Sequence, residues 1–291
     1  MNPLVCIILV NYRGYSDTKE CIESLIKNDY DNYKIIVVEN ASGDEEKLLS
    51  DEFINSYADV IISKENNGFS AGNNYGIEYA SKYFPEYYLL LNNDTIVAPD
   101  FVSILIKTAS YNKNVGIVTG NIFYYNNKET LWYAGGNYNR KTCVTNQVVF
   151  KEYNGTGVED ISFASGCLML ISAECIKKVG KLDEAFFMYS EDTDYCCRAL
   201  DEGFSIKWVR GCKIYHKVSM STKKNNDVQN YYLLRNNLLM IKKYGVNKSR
   251  AYLTRAWIEI KNVVKKRNRI KIILKAWSDF RKGKTGKQVD F

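Results

Sequence analysis

Apolar residues in the first hundred positions come in short unbroken runs separated by stretches of helical spacing. Val5 to Val10, Lys34 to Val38, Val60 to Ile62 and Tyr87 to Leu91 have strand length, and the first is continuously apolar, as expected of a strand covered on both faces. Between them, Asp17 to Lys27 turns Cys21, Ile22, Leu25 and Ile26 inward, a second helical stretch starts at Asp44, and Ser70 to Tyr83 reads as a third helix. Pro99 stands near the start of another helix, where its missing N–H costs little. This βαβαβαβ order predicts an α/β fold with a parallel, Rossmann-like sheet flanked by helices.

From about Gly116 the pattern loosens into shorter strands, with turn signals at Asn126-Asn127 and Gly135-Gly136. Phe163 to Ile171 reads as a buried strand. Glu191 to Glu202 reads as a helix closed by Gly203, Ser205 to Val209 and Lys213 to His216 as short strands, and Val228 to Tyr244 as a helix.

In a parallel sheet, ligands sit at the carboxyl ends of the strands. Here those ends are polar in all four cases: Asn11-Tyr12-Arg13, Glu39-Asn40-Ala41-Ser42, the segment from Asn66 to Asn74, and Asn92-Asn93-Asp94. One polar strand end is a loop; four on one edge predict a binding crevice. A second acidic stretch, Phe186 to Asp194, reads as a loop entering a helix that carries carboxylates.

Composition narrows the class. Hydrophobic residues at 46% and charged residues at 25% fit a globular chain, and 3 prolines with no Gly/Ser-rich linker argue against a string of flexible modules. Leu4 to Val10 is too short to span a bilayer and follows no basic region, so it reads as a first strand and not a signal peptide. The 8 cysteines form no CxxC pair, which leaves buried free thiols in a reducing compartment as the expectation. Charge is unevenly placed. Residues 242–291 hold 16 basic and 3 acidic residues, a net of +13, whereas residues 1–241 hold 24 against 30, a net of −6. The expected division is therefore a catalytic domain over 1–241 and a basic amphipathic helical tail over 242–291. The acidic body argues against nucleic-acid binding, and the tail predicts contact with an anionic surface.

The ordered series of short segments from Ile8-Leu9-Val10-Asn11-Tyr12 onward resembles the family 2 glycosyltransferases of GT-A fold, and within them the bacterial rhamnosyltransferase-like branch. The further matching pieces are Val37 to Ser42, Asn67 to Asn74, Leu91 to Thr95, Gly166 to Ile171, Gly180 to Glu184, Tyr189 to Asp194 with Arg198, His216, and Arg235-Asn236. They span roughly residues 4 to 237. Each is weak alone; their order carries the resemblance.

The resemblance implies an inverting transfer of a sugar from a dTDP- or UDP-sugar, dTDP-rhamnose first among them, to a glycan or lipid-linked acceptor at the cytoplasmic face of a membrane. Such a transfer must stabilise a departing diphosphate and remove a proton from the attacking hydroxyl. A divalent cation, Mg²⁺ or Mn²⁺, would serve the first need, with Asp94 and His216 as metal ligands. Asn92 stands where related enzymes carry the first aspartate of Asp-x-Asp, so one carboxylate is lost. Taken alone, His216 also reads as a hydrogen-bonded histidine at a strand end. Asp192 would be the base, with Glu191 beside it to orient the acceptor; the alternative for these acids is helix capping. Glu39 matches an aspartate that binds the pyrimidine base, Asn11 and Tyr12 would flank base and ribose, and Asn67, Gly68, Gly72, Asn73, Asn93 and Arg235 complete the implied nucleotide-sugar site. The small residues there read equally as helix–strand packing.

In the tail, residues 250–282 interleave apolar residues, Trp257 and Trp277 with dense Lys/Arg, which fits a helix lying on an anionic membrane or one packed on the body. Two rival functions stay open from sequence: a nucleotidyltransferase, for which Asn11 to Tyr15 offers a poor phosphate loop, and a non-catalytic glycan- or membrane-binding relative. Specificity falls to the second half, including loops between Tyr124 and Tyr153.

Overall fold

A computed structural model describes residues 2–147, 157–218 and 226–288. In chain order it forms β1 (Val5–Asn11), α1 (Tyr15–Leu25), β2 (Tyr33–Glu39), α2 (Glu45–Ser50), α3 (Glu52–Tyr57), β3 (Ala58–Ile62), α4 (Gly68–Ala80), β4 (Tyr87–Asn92), β5 (Thr95–Val97), α5 (Phe101–Ala109) and β6 (Val115–Tyr124). There follow β7 (Asn127–Tyr133), β8 (Gly136–Asn139), β9 (Val144–Gln147), β10 (Val158–Ile161), β11 (Leu168–Ser172), α6 (Ala173–Val179), α7 (Glu191–Asp201) and β12 (Ser205–His216). Three helices end the chain: α8 (Asn226–Tyr244), α9 (Lys248–Val264) and α10 (Ile270–Arg281).

The first four strands lie in the order β3-β2-β1-β4, all parallel, as the alternating pattern predicts. Beyond β4 the sheet becomes mixed: β11 is antiparallel to β4 and β6, β12 runs parallel to β6, and β10 closes the edge antiparallel to β12. Strand periodicity sorts the apolar residues into two cores. Ile7, Leu9, Val37, Leu89 and Leu91 face α1 and α5, whereas Cys6, Ile8, Val38 and Leu90 face α4 and α7. Each such fully buried aliphatic side chain contributes about 1.5–3 kcal/mol. On α4, a Cβ at Gly76 would meet Ile8 at 2.5 Å and one at Gly72 would meet Val10 at 2.9 Å, so these glycines let the helix lie close against β1.

Two expectations need correction. The stretch Phe163 to Ile171 is a strand only from Leu168; before it, Ser165 to Cys167 leave the sheet in a turn. The two short strands expected around Gly211 are one strand, β12, with a register shift between Val209 and Lys213. The tail is two helices, broken where Lys266 takes a φ of 54°. The expected boundary at 241/242 falls inside α8, and a third core joins Phe186 and Phe187 of the body to Tyr231 and Tyr232 of α8, Ala251 of α9 and Ala276 of α10. Of the loops between Tyr124 and Tyr153, residues 148–153 lie outside the described residues. All eight cysteines are buried and free. No helix among the described residues is long and apolar enough to cross a membrane.

Candidate active site

The carboxyl ends of β1, β2 and β4 converge on a network of buried amides and acids. Asn11 Nδ2 donates to Glu39 Oε2 and, at 3.3 Å, to Asp44 Oδ2. Glu39 Oε1 accepts from the Ser42 amide and hydroxyl, both at 2.6 Å. Asn93 Nδ2 donates to Thr18 Oγ1 at 2.8 Å and Asn11 Oδ1 at 3.4 Å. Asn11 and Glu39 are fully buried, while Tyr12 and Asn93 are half-buried at the rim. Burial would raise the Asp44 carboxyl, but Lys47 and Asn11 outweigh it and hold its pKa below the usual range. Thr18 and Asp44 are members that sequence reasoning missed; neither belongs to a recognisable motif.

A second station lies at the end of β4. The antiparallel pairing of β12 with β5 sets His216 opposite Thr95, one residue from Asp94. His216 Nε2 comes 3.1 Å from Asp94 Oδ1 and 3.4 Å from Asn92 Nδ2. Both Asp94 and His216 are buried, Trp132 meets the imidazole edge-on at 4.7 Å, and buried Nδ1 has no partner. Burial opposes a charged imidazole, but Cys167 and the Asp94 carboxylate prevail and push the His216 pKa up to about 11. Among the described residues, no group of three or more His, Cys, Asp or Glu could hold a metal on protein ligands alone. One carboxylate and one imidazole suit a cation such as Mn²⁺ once its binding displaces the His216 proton, with phosphate and water oxygens to complete the shell.

The third station is the start of α7. Asp192 Oδ2 accepts from the Gly166 amide at 3.1 Å, and Oδ1 from the Thr193 amide at 2.7 Å and hydroxyl at 3.2 Å. Glu191 is buried with Oε2 unpartnered. Burial first, then the neighbouring Asp192 and Asp194 carboxylates, push the Glu191 pKa well up. Burial also raises Asp192, against the pull of its three donors. Asp194 is spent differently, on Arg198 at 2.9 Å, Tyr244 at 2.7 Å and Lys243. Just before α7, Tyr189 and Ser190 adopt φ of 68° and 72°, left-handed values that cost about 1–3 kcal/mol each in non-glycine residues. Asn236 of α8 pins this loop, donating to the carbonyls of Met188 at 2.8 Å and Tyr189 at 2.7 Å. Its only sequence signal is adjacency to Arg235.

The turn at Ser165 to Cys167 bridges the second and third stations. Cys167 O accepts from the amide of Asn92, whose Nδ2 lies 3.4 Å from His216 Nε2, and the next residue back, Gly166, donates its amide to Asp192.

Several residues of the implied nucleotide site have packing partners of their own. Gly68 has a φ of 92°, and a Cβ there would meet Phe187 O at 1.9 Å; Phe69 N and Ser70 Oγ donate to the carbonyls of Phe187 and Phe186. The start of α4 thus docks the loop leading to Glu191. Gly72 packs on β1, Asn73 Nδ2 donates back to Phe69 O, and Asn67 is exposed. Arg235 is fully buried, bonded to Asn236 and to the carbonyls of Lys284 and Gly286, because α10 folds over α8. It helps close the tail onto the body, with Nη2 buried and unpartnered.

A parallel half-sheet continued by a mixed half, with its polar carboxyl edge, is the GT-A fold. Residues 6–180 match glycosyl transferase family 2, and the chain belongs to that family. It is 28% identical to the low-salt glycan biosynthesis hexosyltransferase Agl10 of Haloferax volcanii over 80% of this chain and 74% of that protein. It is 22% identical to the dTDP-rhamnosyl transferase RfbF of Shigella flexneri over 84% and 82% of the two chains, and 27% identical to the rhamnosyltransferase WbbL of Escherichia coli over 73% and 83%. Its fold resembles GalNAc-T7, solved with UDP, GalNAc and Mn²⁺ (TM-score 0.64, 15% identity, 82% of this chain but only 48% of that one). It also resembles the mannosyltransferase PcManGT of Pyrobaculum calidifontis, solved with GDP-Man and Mn²⁺ (TM-score 0.61, 13% identity, 91% and 76%).

Proposed function

We propose that this glycosyltransferase moves a sugar, with inversion, from a dTDP- or UDP-sugar to a hydroxyl of a glycan or lipid-linked acceptor. The observation that carries the reading is the Ser165 to Cys167 turn, which through Asn92 and Gly166 ties a diphosphate-type station at Asp94 and His216 to an acid–base station at Glu191 and Asp192. Asp192, a buried carboxyl whose proton affinity burial raises against the pull of three donors, takes the acceptor proton as the acceptor oxygen bonds to the anomeric carbon. The bond from that carbon to the diphosphate breaks, and its electron pair leaves with the nucleotide. A divalent cation, held by Asp94 and His216, would neutralise charge on the leaving diphosphate. Glu191, kept protonated by burial, offers a hydrogen to a sugar or acceptor oxygen through its unpartnered carboxyl. Asn11 and Glu39 form the floor beneath the nucleoside, with Tyr12 and Asn93 at its rim. The rhamnosyltransferase relatives make dTDP-rhamnose the first donor to try.

The test is release of nucleoside diphosphate from a panel of nucleotide sugars, with and without Mn²⁺. Mn²⁺-dependent release from one donor that Asp192→Asn abolishes supports the reading. Absence of both donor binding and release, with every donor and a mixed glycan acceptor pool, overturns it.

A further inference from the structure

The two tail helices bury one side and leave an apolar stripe on the other. On α9, Leu253, Trp257, Ile260 and Val264 recur at intervals of four, three and four residues, within about 60° around the axis at 3.6 residues per turn. On α10, Ile270 and Leu274 repeat the spacing. These six side chains are between 55% and 77% exposed, although Ala251, Glu259, Ala276 and Asp279 of the same helices are buried. Exposed cations border the stripe: Arg250 and Lys261 on α9, Lys265 just after it, and Lys271 and Arg281 on α10. Lys261 lies 5.0 Å from the centre of the Trp257 ring.

The charge pattern selects the occupant. After Tyr244 the described residues hold only two acids, and both are consumed inside: Glu259 by Arg255 and Asn268, Asp279 by Lys275, Lys284 and Tyr231. The outer face therefore carries cations with no acid among them. A second copy docking through the same face would bring two such fields together without compensation. A purely polar polyanion would satisfy the cations and leave the stripe in water. An anionic lipid surface meets both requirements, taking the apolar side chains between headgroups and the cations at the phosphates.

We propose that the α9–α10 face is a docking surface for an anionic membrane, lying flat on one leaflet. Because α8 joins this pair to the loop before Glu191, the site sits one helix from the bilayer, within range of a lipid-linked acceptor.

The test uses the full chain in flotation with phosphatidylcholine vesicles containing about one-third phosphatidylglycerol. Binding to these and not to pure phosphatidylcholine, weakened at about 0.5 M salt, is expected. The double variant Leu253→Glu/Trp257→Glu, whose altered side chains are exposed, should bind about ten-fold more weakly while keeping its circular dichroism and nucleotide-sugar turnover. Lys261→Glu/Lys265→Glu should also weaken binding, by a factor set by charge. Absence of vesicle binding, binding indifferent to these variants, or a wild-type dimer that the first variant makes monomeric would each overturn the proposal. So would retention on nucleic acid in place of vesicles.

Discussion

The two acidic stations are built on opposite principles. Asp94 sits where a regular strand ends, facing a histidine supplied by the pairing of β5 with β12, and its surroundings are set by sheet register. Glu191 and Asp192 follow two left-handed residues, and one carboxyl oxygen of Glu191 is buried without a partner. The first arrangement sets a carboxylate against an imidazole on regular backbone, suited to gripping charge that arrives with a ligand. The second holds unfavourable backbone and an unsatisfied acid, suited to moving a proton, and persists only because α4 and α8 clamp its loop from two sides.

The sharpest way to break the contrast is Asp192→Asn, which keeps the shape and removes the proposed base. Turnover should fall about 10²–10⁴-fold with the melting temperature not lowered; near-normal nucleotide release would place the base elsewhere. Asp94→Ala should cost about 10²-fold or more and abolish the response to Mn²⁺, read from a metal titration of the rate. If the metal response survived, the strand-end station would not be where the cation binds.

Asn236→Ala probes the clamp. Loss of two bonds to the Met188 and Tyr189 carbonyls should destabilise the fold by about 1–3 kcal/mol in denaturant titrations. A positioning role also requires kcat to fall while donor affinity, measured calorimetrically, stays unchanged.

Glu191→Gln sharpens the comparison through pH. The folded-state pKa of Glu191 lies above its ordinary value of 4.5, so folding favours the protonated form and the wild type loses stability as pH rises above about 4.5. The variant should therefore melt higher than wild type at neutral pH, with the gap closing toward pH 4.5. A pH-independent gap would contradict the raised pKa.

The smallest effect concerns the tail. Burial disfavours the Asp279 carboxylate, but Lys275, Tyr231 and Lys284 hold its pKa down at about 2, so its stabilisation is present above 3.8 and fades as pH falls from there to about 2. Asp279→Asn should cost about 1 kcal/mol at neutral pH, since its lysine partners are half-exposed.

Much of this molecule was legible in order along the chain. The parallel β3-β2-β1-β4 core follows from local periodicity, because a strand buried on both faces must be apolar throughout and its helices must show one apolar side. The polar strand ends and the two acidic stretches were also visible, since residue type and spacing are all they require. Packing, by contrast, comes from segments distant in sequence. Gly68, Gly72 and Asn73 match a nucleotide loop by resemblance, while their packing against the Phe187 carbonyl, Val10 and the Phe69 carbonyl is visible only in the fold. Arg235 is matched to a phosphate contact by resemblance, and the carbonyls of Lys284 and Gly286 that its Nη1 meets come from some fifty residues on. The clamp at Asn236 and the turn at Gly166 joining the two stations likewise depend on chain crossings that no local pattern encodes. The sequence by itself determined the sheet, its polar edge and a basic, amphipathic end, because these depend on periodicity and charge. Only the tertiary structure decided which polar atoms are satisfied and which face of the tail stays open, because those depend on what else arrives.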